Sequence, residues 1–325
     1  MWLEKGRTYH EADQSFAPLL KRRKSLKEYV ESSQRKSKKK QKKKTKILPN
    51  IDVSFVGLPP PDPKNLSLIV DFLLLKKVNY GAYKPNYFLR RLQARMKRVN
   101  ADTYQEYHTM LRTDSRELEL LLDSFSINVT HFFRDKELFA QLEREIIPRI
   151  FSDKRGSIRI WSAGCAIGPE PYSIAILIDS IEQKKRIGKV FLLATDVNID
   201  LLNQAKEGVF DKELLKETDP LKIAKYFTPV SANLFCLDSQ IRKMVTFQQH
   251  DLRSPPPARN LDLILCRNVI IYFSRPQGEK LFRRFYSALK PNGYLILGKC
   301  EILPQSIRNK FEIINTQNRI YRRVN

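Results

Sequence analysis

From residue 157 onward, short apolar runs alternate with helical segments, and this alternation constrains the fold more than any other feature. Four runs have the length and residue content of buried strands, at Ser157–Ala163, Val190–Thr195, Leu261–Cys266 and Gly293–Gly298. Helical segments follow the first three, near residues 171–183, 199–207 and 277–289. Strands that alternate with helices form a parallel sheet covered by helices on both faces. The sequence therefore predicts an α/β fold.

The limits of this alternation predict the domain organisation. Residues 1–65 are expected to form a basic, disordered tail and a Pro-rich linker, because the lysine run at 38–44 repels itself and has nothing to bury. After the tail we expect a helical domain over residues 66–125 and then a linker with a helix over residues 126–156. An α/β domain should follow over residues 157–325. Within it we expect an inserted β-subdomain at about 209–249 and a final hairpin at 311–323.

The tail also carries much of the positive charge. The formal net charge is +24, and residues 1–48 contain 16 Lys and Arg against 5 Asp and Glu. Such a tail is either a solvated extension or an anchor for nucleic acid or an anionic membrane surface. The lack of aromatic residues among the lysines favours the solvated extension, because base stacking requires aromatic rings.

A second basic feature lies in the helical domain. In the helix predicted over 87–98, Leu89, Leu92 and Met96 fall on one face, and the arginines recur at i, i+4 and i+7, namely Arg91, Arg95 and Arg98. This spacing fits a docking face for an acidic partner and, equally well, a merely solvated helix.

The spacing of cysteine and histidine bears on compartment and cofactor. The four cysteines include no Cys-x-x-Cys pair, and the four histidines are equally dispersed. This pattern favours reduced thiols in a cytoplasmic protein and predicts no metal site. No apolar run approaches the ~20 residues of a membrane span, and the N-terminus lacks the apolar core of a signal peptide.

Two motifs follow predicted strands at the edge where open α/β folds bind ligands. Gly164 and Gly168 come directly after the first strand, where glycine lets the backbone approach a ligand closely, and the nearby Glu170 carboxylate could hold an ammonium group. Asp196 ends the second strand, where an acidic residue accepts hydrogen bonds from ribose hydroxyls or caps a helix. The turn lacks the full Gly-x-Gly-x-x-Gly spacing, so an adenosine-plus-amino-acid cofactor fits better than a dinucleotide.

Two further segments place polar residues near the same edge. Cys266-Arg267-Asn268-Val269-Ile270-Ile271-Tyr272-Phe273 follows the third strand, where catalytic groups emerge. Asn128-Val129-Thr130-His131-Phe132-Phe133-Arg134-Asp135 joins the helical domain to the sheet. On its own, the second segment is equally well explained as a packed linker.

Taken in order, these motifs resemble the chemotaxis protein methyltransferases, the receptor glutamate O-methyltransferases that use S-adenosylmethionine (SAM). The resemblance covers about residues 66–323, including the segment Tyr83–Leu92 and the turn Leu289–Gly293. It implies a Rossmann-like SAM-dependent methyltransferase sheet with an N-terminal helical domain and a small inserted β-subdomain.

The resemblance also implies residue roles. Arg134 and Tyr272 match positions at the reacting centre, and the positions that match cofactor contacts are Asn128, Thr130, Arg134, Glu170, Asp196, Asp251, Leu252, Asn268 and Val269. The cofactor implied is SAM, with S-adenosylhomocysteine as product. The partner implied is the cytoplasmic helical region of chemotaxis receptors, docked by the face of Arg91, Arg95 and Arg98, which would recruit the enzyme to receptor membranes.

The function implied is methyl transfer to receptor glutamates, with two alternatives. The high net charge suggests a nucleic-acid methyltransferase, although the sequence shows no Asn-Pro-Pro-Tyr segment and no Pro-Cys nucleophile. Departures from the family pattern at Pro169, Asp251 and Cys300 suggest a SAM-binding scaffold without turnover.

Overall fold

The structure is a computed structural model that describes residues 63–76, 83–125, 130–152, 157–182 and 189–324. Nearly all of the predicted tail, and Asn128 of the predicted site, lie outside these residues. The chain divides into two compact units, with the boundary between residues 125 and 126. No helix in the described segments combines the length and apolarity needed to cross a bilayer.

The first unit contains the helices α1 (Pro63–Leu75), α2 (Pro85–Arg98), α3 (Tyr104–Thr113) and α4 (Ser115–Asp123). A capping box starts α3, where the Thr103 side chain accepts from the Glu106 N–H and the Glu106 side chain accepts from the Thr103 N–H. Asp114 caps α4 by accepting from two backbone N–H groups. The predicted helical character of this segment is therefore confirmed.

The position of Arg95 differs from the predicted docking face. Its guanidinium is buried and forms an ion pair with Glu117 of α4. The Tyr107 hydroxyl donates to the same carboxylate at 2.7 Å. Arg95 lies three residues after Leu92, so both point to the same side of α2 and into the unit. Of the three arginines, Arg98 is exposed, and Arg91 is half-buried with its guanidinium over the Tyr87 ring.

The second unit is built on a mixed sheet. Its strands are β1 (Ile158–Ala163), β2 (Val190–Asp196), β3 (Val209–Asp211), β4 (Phe227–Pro229), β5 (Leu234–Leu237), β6 (Val245–Gln249), β7 (Leu261–Cys266), β8 (Leu289–Leu297), β9 (Phe311–Asn315) and β10 (Ile320–Arg323). Its α-helices are α5 (Lys136–Gln141), α6 (Ile147–Ser152), α7 (Pro169–Glu182), α8 (Ile199–Glu207), α9 (Pro220–Tyr226), α10 (Ser239–Lys243), α11 (Arg275–Ala288) and α12 (Gln305–Arg308). A π-helical turn, Leu142–Ile146, joins α5 to α6, and 3-10 turns lie at Lys212–Leu215 and Ile270–Tyr272.

Seven strands form the main sheet, in the order β6-β2-β1-β7-β8-β10-β9. The first five run parallel, and β10 and β9 form the predicted antiparallel hairpin at one edge. Alternate residues of β1 pack on opposite faces, with Ile160 in the core that contains α7 and Trp161 in the core that contains α11. The predicted Rossmann-like arrangement is confirmed.

A three-stranded antiparallel sheet, in the order β3-β5-β4, occupies residues 209–237. The end of the predicted insert, Val245–Gln249, forms β6, which pairs with β2 at the edge of the main sheet rather than with the small sheet. The inserted sheet is therefore shorter than the irregular sequence pattern suggests.

Candidate functional site

A pocket opens at the carboxyl end of β1 and β7, where parallel α/β sheets bind their ligands. The residues that line it are Thr130, His131, Arg134, Gly164, Cys165, Ala166, Glu170, Arg267, Asn268, Val269, Ile271 and Tyr272. All of them belong to the second unit. The pocket thus brings together three segments that the sequence singled out, namely the linker, the glycine turn and the loop after β7.

The turn after β1 is shaped by glycine. Gly164 has φ +83°, and a Cβ placed on it would lie 2.6 Å from Val269 Cγ2. A side chain there would be strained and would also push into the loop after β7. The N–H groups of Gly164 and Cys165 both donate to the Thr195 carbonyl at the end of β2. These bonds fix the turn next to the second strand.

Glu170, in the first turn of α7, faces the pocket with both carboxylate oxygens engaged. Oε1 accepts from the Ser162 hydroxyl at 2.8 Å, and Oε2 accepts from Arg267 Nη1 at 3.2 Å. Each carboxylate oxygen has two lone pairs, so both can accept one further hydrogen bond. A ligand ammonium can therefore be held at Glu170 without breaking either contact.

Arg267 is a site residue that the sequence analysis did not assign. Its side chain is 2% exposed, and it bridges Glu170 to the linker. Nη2 donates to the Arg134 carbonyl at 3.0 Å and also pairs with the Asp135 carboxylate. The sequence feature that could have identified it is its position directly after an apolar strand. Its hydrogen-bond partners could not be predicted, because they come from segments about 100 and 130 residues away in the sequence.

Asp135, which is half-buried, links Arg267 to the exposed Lys299. Burial raises the pKa of its carboxyl group, but the hydrogen bond from Lys299 and the charge of Arg267 outweigh it and hold the pKa below its usual value. Lys299 Nζ lies 3.0 Å from Oδ1. Two carboxylates and two cations therefore meet beside the pocket, and the ordinary penalty for buried charge is reduced by the pairing.

The linker adopts a strained conformation around Arg134. Phe133 has φ 52° and Asp135 has φ 68°, in the left-handed region that non-glycine residues rarely adopt. Ala166 and Asn268, which also line the pocket, have positive φ as well. Strained residues of this kind concentrate at functional sites, where the surrounding structure holds them.

Glu301 anchors the loop after β7. Its buried carboxylate accepts hydrogen bonds from five backbone N–H groups, those of Asn268, Val269, Ile270, Ile271 and Gly298. A nest of this kind concentrates partial positive charge on a single anion. Tyr272 ends the 3-10 turn that follows and reaches the pocket. Glu301 therefore fixes the backbone that presents Asn268, Val269 and Tyr272.

Among the described residues, three that are predicted to contact the cofactor do not line the pocket itself. Asp196 adjoins it, since Oδ2 accepts from the Ala166 N–H at 2.9 Å, and burial raises the pKa of its carboxyl group. Asp251 is engaged by Arg253, which contacts both carboxylate oxygens. Burial raises the pKa of Asp251, but the Arg253 hydrogen bonds bring it below its usual value. Leu252 is buried in the core on the α11 side of the sheet.

The residues present fit SAM. The cofactor carries an ammonium group and ribose hydroxyls, and Glu170 and Asp196 offer carboxylate oxygens at the glycine turn. At Gly164 the space that a side chain would need is taken by Val269, so the turn packs directly against the loop after β7. No group of three or more His, Cys, Asp or Glu side chains suited to a metal occurs among the residues that the structure describes.

Fold and site together define a class, the SAM-dependent methyltransferases. Residues 128–320 match the family description "CheR methyltransferase, SAM binding domain", and residues 76–126 match "CheR methyltransferase, all-alpha domain". The chain therefore belongs to the CheR methyltransferase family, and the resemblance seen in the sequence is confirmed. SAM as cofactor agrees with the same match.

Individual relatives agree with the family match. An uncharacterized 104.1 kDa protein of Rhodobacter capsulatus is 34% identical over 271 residues, which cover 82% of this chain but 28% of that protein. A chemotaxis protein methyltransferase of Borreliella burgdorferi is 33% identical over 235 residues, covering 70% of this chain and 83% of the relative. Chemotaxis protein methyltransferase 1 of Pseudomonas aeruginosa is 32% identical over 231 residues, covering 69% and 84%. These matches do not favour the nucleic-acid or scaffold alternatives.

Proposed function

We propose that this chain transfers the methyl group of SAM to glutamate carboxylates of chemotaxis receptors in the cytoplasm, forming glutamate methyl esters. The observation that carries the proposal is the pocket, which is lined by Arg134 and Tyr272 together with the glycine turn and Glu170. The family match and the names of the relatives support it.

The chemistry requires positioning rather than a strong base. Bound SAM supplies a methyl group already activated by the sulfonium charge. A glutamate side chain is ionised at pH 7, so its oxygen needs no proton removed before it attacks. The protein's task is to orient the carboxylate in line with the methyl group and to exclude water.

Arg134 and Tyr272 are proposed to position the substrate carboxylate by hydrogen bonds that leave one oxygen free to attack. Hydrogen bonds that are equally strong in the ground state and in the transition state would not accelerate methyl transfer. Only interactions that strengthen in the transition state do so. The residues proposed to hold the cofactor are Asn128, Thr130, Arg134, Glu170, Asp196, Asp251, Leu252, Asn268 and Val269, of which Asn128 lies outside the described residues. In this proposal residues 126–156 complete the site of a catalytic domain at residues 157–325.

The proposed partner is the acidic helical region of a receptor. The burial of Arg95 removes it from the predicted docking face and leaves Arg91 and Arg98 as candidates on α2. The charge of these side chains favours an acidic surface. Deletion of residues 1–48, with assays at two salt concentrations, tests whether the basic tail is an anchor for an anionic partner or a solvated extension.

The test is transfer of radiolabelled methyl from SAM to receptor-rich membranes, with release of volatile methanol in alkali. We expect base-labile label with the wild-type chain and strong loss with Tyr272→Phe. Tyr286→Phe is the matched control, because Tyr286 packs against Phe311 outside the pocket and loses the same hydroxyl. Label that resists alkali, or label in nucleic acid, would contradict the proposed substrate, and binding of SAM without transfer would favour a scaffold.

A further inference from the structure

Glu217 is the residue of the inserted segment whose carboxylate reaches the linker at two points. It lies between the 3-10 turn Lys212–Leu215 and α9. Its Oε2 accepts from the Asp135 N–H at 3.1 Å, and its Oε1 lies 3.6 Å from Nε2 of His131. One carboxylate therefore contacts residues on both sides of Arg134.

The same segment holds the linker at a third point. The Phe132 N–H donates to the Leu214 carbonyl at 2.9 Å. The Phe132 ring packs edge-on against Phe210 of β3 and Phe227 of β4. The inserted sheet and the pocket wall are therefore joined by an aromatic cluster and by polar contacts that flank Arg134.

The polar contacts matter because the linker backbone cannot hold itself in place. Asp135 has φ 68°, and a left-handed aspartate persists only where the surroundings fix it. Its N–H is fixed by Glu217, and its side chain by Arg267 and Lys299. His131, whose side chain is 15% exposed, lines the pocket itself. A shift of this short segment would move Arg134 relative to the substrate.

We propose that Glu217 is a positioning residue for methyl transfer, which holds Arg134 in place from the inserted β-subdomain by fixing the Asp135 peptide, with the His131 ring beside the same carboxylate. This inference rests on the proposed function. Glu217 touches neither cofactor nor substrate in this role, and it acts through the linker that carries Arg134.

The experiment compares Glu217→Ala, Glu217→Gln and Glu213→Ala in the full chain. Gln keeps a carbonyl oxygen that can accept from the Asp135 N–H, whereas Ala keeps no acceptor. Glu213 is the control, because it belongs to the same segment and carries the same charge, while its exposed side chain pairs with Lys216. Methyl transfer is measured as kcat and KM, and binding of S-adenosylhomocysteine is measured by calorimetry.

We expect kcat to fall roughly tenfold in Glu217→Ala, since small misplacements of a catalytic group have effects of this size or larger. Glu217→Gln should keep kcat within about threefold of wild type. In Glu217→Ala the affinity for S-adenosylhomocysteine should fall less than kcat does, because Arg134 is displaced but the other proposed cofactor contacts remain. A merely structural role would instead lower cofactor affinity and thermal stability together with kcat. That pattern, or an equal loss in Glu213→Ala, would overturn the proposal.

Hydrogen exchange provides a readout that needs no receptor. In Glu217→Ala the amide of Asp135 should exchange at least several-fold faster than in wild type and in Glu213→Ala, because it has lost its acceptor. Equal exchange in all three proteins would overturn the proposal even if the chain methylates receptors. If the wild-type chain methylates no receptor, the proposed function fails, while the exchange comparison still decides whether Glu217 fixes the linker.

Discussion

Replacing Arg95 tests whether this residue has a structural role or a docking role. A structural role predicts a large loss of stability in the helical unit, whereas a docking role predicts little change. The Arg95 and Glu117 side chains are 9% and 5% exposed. Arg95 Nε donates to Glu117 Oε1 at 3.1 Å, and the hydrogen bond to Glu117 is the main reason that the pKa of Arg95 is raised. Arg95→Ala would leave Glu117 as a buried carboxylate whose remaining side-chain partner is a phenol hydroxyl.

The expected loss is about 3–5 kcal/mol, the range measured when one partner of a buried ion pair is removed. This corresponds to a rise of roughly a hundredfold to several thousandfold in the opening equilibrium of the helical unit. Arg98→Ala is the control, because Arg98 is exposed on the same helix and surface substitutions change stability by about 0.5 kcal/mol or less. Burial of the ion pair, rather than charge alone, is what separates the two variants.

The assay is native-state hydrogen exchange on peptides from α2 to α4 in the full chain, which reports the opening free energy of this unit alone. A second variant combines Arg95→Met, Glu117→Leu and Tyr107→Phe. It should recover most of the loss, since apolar replacement of a whole buried ionic network is often neutral. If Arg95→Ala changes the opening free energy by less than about 1 kcal/mol, Arg95 does not stabilise the unit as argued, and the docking interpretation regains support.

Three further predictions concern the pocket. Arg134→Lys should lower kcat about a hundredfold while leaving S-adenosylhomocysteine affinity within about tenfold, because a lysine cannot reproduce a guanidinium fork. In the same transfer assay Arg308→Lys, at an exposed position of α12, should leave kcat unchanged. Glu301→Ala should weaken S-adenosylhomocysteine binding at least tenfold in calorimetry, because five backbone N–H groups lose their acceptor, and exposed Cys300→Ser should leave binding intact. Burial raises the pKa of Asp196. The affinity for S-adenosylhomocysteine should therefore rise as pH increases through that raised pKa, because the carboxylate forms there. The contribution of the same carboxyl group to folding stability should decline over this interval, because the folded state holds the proton more tightly than the unfolded state. An unchanged affinity profile in Asp196→Asn would rule out Asp196 as the titrating group.

The sheet could be predicted because its information is local. Each buried strand is a short apolar run, and β7 is buried at every position. The glycine turn could also be recognised, because the requirement at Gly164 is a property of the backbone at that point. Period and turn chemistry therefore predict the parallel core of the sheet and the edge at which the pocket forms, but not the place of β6 in the main sheet.

The contacts that set charge and orientation could not be predicted, because they join distant segments. Arg95 lies on the apolar side of its helix and is buried only because Glu117 faces it from another helix. The family resemblance implies that Asp251 contacts the cofactor, but it does not reveal that Arg253 donates to both of its carboxylate oxygens. Spacing along one helix or loop says nothing about which partner the tertiary structure supplies.

The linker around Arg134 is held by three separate elements, and this has a consequence for how the site works. The Phe133 N–H donates to Ser173 of α7, the Asp135 N–H donates to Glu217 of the inserted segment, and Arg267 after β7 donates to the Arg134 carbonyl. Two left-handed residues in this stretch would each cost about 1–3 kcal/mol if the chain were free to relax. Because every one of these anchors is a protein group, the conformation does not depend on a ligand to hold it. We therefore expect the linker backbone to change little when the cofactor binds, so that binding energy remains for orienting the substrate carboxylate.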